Sequence, residues 1–366
     1  MNIAFYIDEM NLRGVANSSY QFAFLNKKIL KNKSYIFYNQ KNKRNKKEVI
    51  KKFKKQFKVI GIQYFNEIDK YKDKFLLNYL YVQKSGDKKD GWVSKDIKTL
   101  VHSVYPQKLN QVHGHRYIYI SEWLSKNFSN NKIPYVPLIT EIQKNKNNLK
   151  KKLKIKKNQI VFGCYGGESS FDLQFVKLAI NEIVKKRNDI VFIFLNIKKF
   201  IQHKQIKFLK GTLNDNYKKK FINSCDAMIY GRSLGESFGL SCGEFAIANK
   251  RVISYKFNRH RSHSFNISCK HLIEYSSFKS LLNIILSFKK QSLNYKNLYK
   301  NYTKKKVMND FQNIFLKKDQ SFRFTFQDYA KNYLGFVKMN YNYLRHKLYV
   351  HYFNYFEKYL LKLNIK

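Results

Sequence analysis

Cysteine is scarce in this chain, and the cysteines present are unpaired in pattern. Cys164, Cys225, Cys242 and Cys269 form no Cys-x-x-Cys pair and have no histidine at zinc spacing. A disulfide scaffold and a zinc module are both excluded, and a reducing, cytoplasmic compartment is the natural expectation. Proline occurs 3 times and glycine 14 times in 366 residues, which excludes low-complexity and collagen-like classes. Acidic residues are few, 24 against 72 Lys and Arg, for a formal net charge of +48. No run approaches the roughly 20 apolar residues of a membrane span. The apolar start at Met1–Met10 is broken by Asp8 and Glu9, too short for a secretory signal.

What is abundant is Lys, Asn, Ile, Phe and Tyr, the residues that A/T-rich codons impose. Much of the charge therefore reads as a compositional bias spread over solvated faces. The remainder favours anionic partners such as nucleic acid, lipid headgroups or phosphorylated glycans. The length suffices for two domains, each with a core of its own.

The densest pattern is Gly235-Glu236-Ser237-Phe238-Gly239-Leu240-Ser241-Cys242-Gly243-Glu244. The apolar runs Ala227–Tyr230 and Arg251–Tyr255 flank it, so it reads as strand, tight turn, helix, strand. Ser237 suits the helix start, and Gly239, Ser241, Cys242 and Gly243 allow close approach to the first turns. On one helix, Glu236 and Glu244 would share a face about two turns, or 12 Å, apart. The amides that follow Glu236 would offer an anion cradle at a helix N-terminus.

Glu-x-Phe-Gly-Leu-x-x-x-Glu, followed by a small-residue helix and Lys-x-Val-Ile, resembles the retaining GT-B glycosyltransferases with the Glu-x7-Glu signature. The resemblance implies an α/β fold of two Rossmann-like domains facing a cleft. It implies sugar transfer from a nucleotide diphosphate sugar with retention, without a metal and with no cofactor beyond the donor. Carried over, Glu236 faces the transferred sugar, the backbone at Ser237, Phe238, Gly239 and Leu240 binds the diphosphate, and Glu244 holds the ribose. The acceptor would be a glycan or a lipid-linked hydroxyl, and an anionic membrane surface is the further partner that the basic composition allows. The enzyme would then be cytoplasmic, peripheral on the inner face of a membrane.

Along the chain, Asn2–Ile7 reads as a first strand, Asn11–Gly14 as its turn and Ser18–Leu30 as a helix. Arg13 and Gly14 stand where relatives carry a Gly-rich turn, near the phosphates or the acceptor. Further strands are expected at Ser34–Tyr38, Lys58–Tyr64, Tyr79–Gln83, Leu100–Val104 and Arg116–Ser121. Ser85–Gly91 reads as an exposed loop. His102 reads as part of a turn ending a strand, where relatives place a histidine near the transferred sugar, so it is a catalytic candidate; a lone histidine is also commonly structural. His113-Gly114-His115 is a weaker candidate of the same kind.

The polar stretch Thr140–Lys157 is the expected linker, dividing a domain over 1–145 from a nucleotide-sugar domain over 158–318. The second domain opens with a strand running into Gly166-Gly167, taken as donor-binding. This is not a Gly-x-Gly-x-x-Gly fingerprint. Where relatives carry an Arg, this chain has Cys164 and Tyr165, and Lys177 stands only roughly at the family's Lys. Arg232, with Lys210 behind it, is the replacement source of charge for the diphosphate. Residues 319–366 read as a helical tail. In it Tyr333, Val337, Tyr341, Leu344, Leu348, Tyr352, Tyr355 and Tyr359 form an aromatic seam, with Lys331, Lys338, Arg345, Lys347 and Lys358 off it. That helix would either brace the first domain or lie on a membrane surface or a partner. The rival reading, a non-enzymatic RNA-binding protein, accounts for charge plus aromatics, but no nucleic-acid motif accompanies it and the charge is dispersed.

Overall fold

The computed structural model describes residues 1–141, 146–267, 271–291, 297–317 and 320–357. They divide into two units, Met1–Thr140 with Asn301–Phe336, and Glu141–Lys300 with Val337–Lys366. Residues 301–317, expected in the nucleotide-sugar domain, thus fall in the first unit.

The first unit is built on a six-stranded parallel sheet of β1 (Asn2–Ile7), β2 (Lys33–Asn39), β3 (Lys58–Ile62), β4 (Tyr79–Lys84), β5 (Lys98–Ser103) and β6 (Arg116–Tyr119). The order is β3-β2-β1-β4-β5-β6. The inner strands are apolar because helices cover both faces of a parallel sheet, so alternation is lost and nearly every side chain is buried. α1 (Gly14–Lys28), α2 (Lys47–Lys54) and α3 (Glu122–Ser129) supply the covering, joined late in the chain by α9 (Lys304–Asp310) and a π-turn at Phe311–Lys317. α1 begins four residues before its expected start, with Arg13 as N-cap. α3 is better signposted: Ser121 caps it by accepting from the Leu124 amide at 3.3 Å, and Asn130 closes it in the left-handed conformation.

The second unit repeats the plan with β7 (Ile160–Tyr165), β8 (Ile190–Leu195), β9 (Ile206–Leu209), β10 (Ala227–Tyr230), β12 (Arg251–Tyr255) and β14 (Leu272–Tyr275), in the order β14-β12-β10-β7-β8-β9. α4 (Gln174–Lys186), α5 (Asp215–Ser224), α6 (Leu240–Ile247), α7 (Ser262–Asn266) and α8 (Phe278–Leu286) complete it. Two short strands, β11 (Gly235–Glu236) and β13 (His260–Arg261), pair apart from the main sheet. The expected linker is only partly one. Leu149 and Ile155 are buried, and the Leu149 amide donates to Ser224 Oγ at 2.7 Å, so this stretch packs on the second unit.

A last helix, α10 (Phe326–Tyr352), continues through a π-turn at Phe353–Glu357. Within the first unit, Asn332 donates to the carbonyls of Gln107 and Phe128. Within the second, the Tyr349 ring meets Phe175 at 5.1 Å and its hydroxyl accepts from the Phe278 amide. Lys358 and Tyr359 of the expected seam lie outside the described residues.

In both sheets the chain runs outward through three strands, then returns beside the strand it started from. The order of succession therefore reverses between β1 and β4, and again between β7 and β10. At such a reversal the two connecting loops diverge and leave a crevice at the carboxyl ends of the strands, the place where open α/β sheets bind ligands.

Candidate functional site

At the second reversal, β7 ends at Tyr165 and is followed by Gly166 and Gly167, and β10 leads through Arg232 to Glu236. The expectation that Glu236 and Glu244 share one helix is corrected. Gly239, in the left-handed conformation at φ 88°, is the N-cap; α6 begins at Leu240, and Glu236 lies before it in β11. Ser237 is therefore not the helix start but part of the bend between β11 and α6.

The glycines of the signature have an internal reason. A Cβ on Gly243 would stand 2.6 Å from the Tyr299 ring, and one on Gly239 would stand 2.9 Å from its hydroxyl. Tyr299 in turn donates to the Phe238 carbonyl at 2.5 Å and stacks edge-on with the buried Phe238 ring. What approaches the first turns of α6 closely is thus a tyrosine of the same unit, and Cys242 is wholly buried beneath them.

Glu236 is held from one side. Its Oε1 accepts from Tyr230 at 2.7 Å and from Arg232 at 3.1 Å, while no described residue donates to Oε2. Glu244 is buried, 8% exposed; its Oε2 accepts from the Tyr165 hydroxyl, and its Oε1 pairs with Lys218 Nζ at 3.3 Å. Burial pulls the Lys218 amine down, but the carboxylates of Glu244 and Asp215 outweigh it and hold it above its ordinary range. Burial, with the Glu244 charge beside it, pushes the Tyr165 hydroxyl well up, so it remains a donor. Two carboxylates, one facing Arg232 and one facing Lys218, thus stand four residues before the first residue of α6 and four after it.

The other donor-site candidates are distributed as follows. Gly166 and Gly167 make the turn after β7, their carbonyls accepting from Asn196 and from Ser170 at 2.7 Å each. Arg232 is committed to Glu236. Lys210 is exposed, and the Lys177 amine lies over the Phe200 ring at 5.7 Å. Tyr165 and Lys218 were not singled out from sequence as partners of Glu244. Lys218 sits in a run of three lysines in a chain crowded with them, so no local signal marks it.

His102 is corrected from catalytic candidate to core residue. It lies inside β5 rather than in a turn and is fully buried between Phe22, Tyr81 and Phe315. Tyr81 shares a 2.7 Å bond with Nδ1, and Nε2 a 2.8 Å bond with the Val136 carbonyl. Since a carbonyl only accepts, Nε2 carries the proton and Tyr81 donates to Nδ1: a neutral imidazole with both nitrogens used. Burial pushes it down to about 4. Such a ring has no face to offer a substrate. His263 is likewise buried, bonded to Ser254 at 2.8 Å.

The crevice of the first unit holds a different group. Arg13 is exposed and pairs loosely with Glu9 at 3.9 Å, and Gly14 opens α1. At the end of β4, Lys84 is buried, 2% exposed, and donates to the Gly91 carbonyl at 3.0 Å and to His113 Nε2 at 3.1 Å. Ser85 donates to Asp90. The loop expected to be simply exposed is therefore pinned from inside. At its end Gly91 and Trp92 take positive φ, 72° and 33°, which is strained for a tryptophan. Gly91 and Trp92 line an open pocket of about 620 Å³ together with Phe65, Asn66, Lys88, Asp90 and His113. Tyr6, from the end of β1, braces it edge-on against Phe65 and Trp92.

No family model matches the sequence, and neither does any curated protein. Solved structures do match. A glycosyltransferase from Rickettsia africae superposes with a TM-score of 0.55 at 13% identity, over 93% of this chain and 98% of that one. HepE from Anabaena, solved with UDP and glucose, gives 0.58 at 11% identity, over 91% and 98%. The UDP-GlcNAc 2-epimerase of Methanocaldococcus jannaschii, solved with UDP-GlcNAc and UDP, gives 0.55 at 13% identity, over 86% and 99%. At such identities the likeness concerns the fold, and that fold is GT-B.

Proposed function

We propose that this GT-B chain transfers a sugar from a nucleotide diphosphate sugar to a hydroxyl of a glycan or lipid-linked acceptor, with retained configuration. The observation that carries the reading is the pair of held carboxylates, Glu236 just before α6 and Glu244 within it, in the segment that follows β10 at the reversal. The amides from Leu240 onward would receive the diphosphate, whose charge the helix end favours. Glu244, oriented by Tyr165 and Lys218, would accept from the ribose hydroxyls. Glu236 has Oε2 available for a sugar hydroxyl, with Arg232 behind Oε1 to balance its charge. The leaving diphosphate would gain most as its charge develops, since fixed dipoles in place beforehand act there without reorganising. In the first unit, the Trp92 pocket offers an aromatic face with the Asp90 carboxylate and the Asn66 amide beside it. That combination suits the apolar face and the hydroxyls of an acceptor sugar ring.

The test is binding and turnover of a panel of nucleotide sugars by wild type, Glu244→Gln and Glu236→Gln. We expect one nucleotide sugar to bind, Glu244→Gln to weaken it by about tenfold, and Glu236→Gln to lower turnover by about 100-fold or more with binding retained. Equal binding and turnover in all three proteins would make the signature a scaffold feature only. The fold shared with the Methanocaldococcus epimerase supports one competing reading, and the products separate the two. Transfer or hydrolysis releases the nucleoside diphosphate, whereas epimerisation returns an isomeric nucleotide sugar.

A further inference from the structure

α10 carries a stripe of apolar side chains on a side that no described residue covers. In the part of the helix that belongs to the second unit, Val337, Tyr341, Leu344, Leu348 and Tyr352, with Tyr355 in the π-turn beyond, are between 43% and 68% exposed. At about 100° per residue the helical members of this set fall within an arc of roughly 80°. The face that packs lies opposite. Met339, His346 and Phe353 are buried, with Phe353 against Phe175 and Phe278, and His346 against Tyr255. Of the two expectations for the seam, bracing the fold or lying on a membrane surface or a partner, its exposure excludes the first for these side chains, and a smaller set of residues does the bracing.

Six large apolar side chains in one continuous exposed stripe exceed what a monomer surface ordinarily carries. Two occupants would bury such a stripe, a second copy or a membrane surface. Charge separates them. Each copy carries a net +48, so apposing two copies stacks like charge on like. A bilayer with anionic headgroups reverses the sign, and each Lys or Arg near it contributes about 1 kcal/mol. Lys338 and Arg345 flank the stripe on one side and Lys347 on the other, all exposed. The Arg345 guanidinium lies on the Phe257 ring at 4.3 Å, so its charge is held beside the stripe. Tyrosine, prominent in the stripe, is a side chain that settles at the headgroup level with its ring in the apolar layer and its hydroxyl in water.

We infer that the outer face of α10 is an interfacial membrane anchor that seats Tyr341, Leu344 and Leu348 in an anionic lipid surface, with its flanking Lys and Arg on the headgroups. The helix lies along the surface and does not cross it. Among the described residues no helix is long and apolar enough to span a membrane. The inference uses none of the residues around Glu236 and Glu244, so it stands or falls apart from the transferase reading.

The experiment is co-sedimentation of the full chain with vesicles of phosphatidylcholine alone or containing about one third phosphatidylglycerol. Wild type is compared with the triple variant Tyr341→Ser, Leu344→Ser, Leu348→Ser. All three positions are exposed, so thermal melting should coincide with wild type and certify the fold. We expect wild type to partition onto the anionic vesicles and far less onto the neutral ones. The triple variant should lose at least about tenfold in partitioning. Equal partitioning of wild type and variant would reduce the contact to diffuse charge and overturn the anchor. Absence of wild-type binding would do the same. Sedimentation velocity without lipid supplies a third check: a wild-type dimer that the variant dissociates would assign the stripe to a second copy instead.

Discussion

At the scale of single residues, environment decides which charged groups matter. Lys218 is one of 72 basic residues, yet it is enclosed and shares a bond with Glu244, and its removal would leave that carboxylate without its counter-charge. We expect Lys218→Met to destabilise the fold by about 1–3 kcal/mol. In a double-mutant cycle with Glu244→Gln measured by urea unfolding, the pair should show coupling of about 1 kcal/mol or more. His102 gives a pH signature. Its folded-state value is depressed, about 4 against an ordinary value of about 6.5, so the unfolded chain binds the proton more readily. Its contribution is complete above pH 6.5 and is lost as pH falls from there towards 4, about 3 kcal/mol in all. Burial also pushes His260 and His263 down, to about 3 each, so all three act in one direction. Urea midpoints between pH 7.5 and 4 should fall steeply in wild type and less steeply in His102→Gln.

At the scale of elements, α6 shows how a sequence pattern can be right in composition and mistaken in its reason. The glycines near its start are needed because Tyr299, distant in sequence, lies against them. Gly243→Ala places a methyl within contact distance of that ring, where the neighbour must shift. We expect a loss of about 1–3 kcal/mol in denaturant unfolding, with Tyr299→Leu in the same chain recovering part of it. An unchanged midpoint would show that the Tyr299 ring moves aside freely. Helix α10 makes the same point on a larger element. Its 3.6-residue period was legible, but the face presented to solvent depended on Phe175, Tyr255 and Phe278, which no local pattern links to it.

At the scale of the molecule, the same strand order recurs in both units, and each reversal of succession carries its own set of polar groups. The first collects Lys84, Asp90 and His113 around Trp92; the second collects Arg232, Glu236, Lys218 and Glu244. If the units divide the work of transfer, Trp92→Ala should raise the acceptor KM by about tenfold and leave donor binding unchanged. Equal loss for donor and acceptor would remove the Trp92 pocket from acceptor recognition.

The sequence by itself determined the alternation of apolar strands with amphipathic helices, hence two doubly wound sheets, because a strand buried on both faces must be apolar throughout. It also marked Gly235–Glu244 as the stretch around which a site is built. Tertiary structure alone decided where α6 begins, since the left-handed Gly239 and the contact with Tyr299 fix that point across 60 residues of chain. It alone withdrew His102 into the core and chose Lys218 from among its neighbours. Burial and partnership are properties of elements brought together in space, and in a chain this uniformly basic and aromatic, composition cannot distinguish one lysine or one ring from the next.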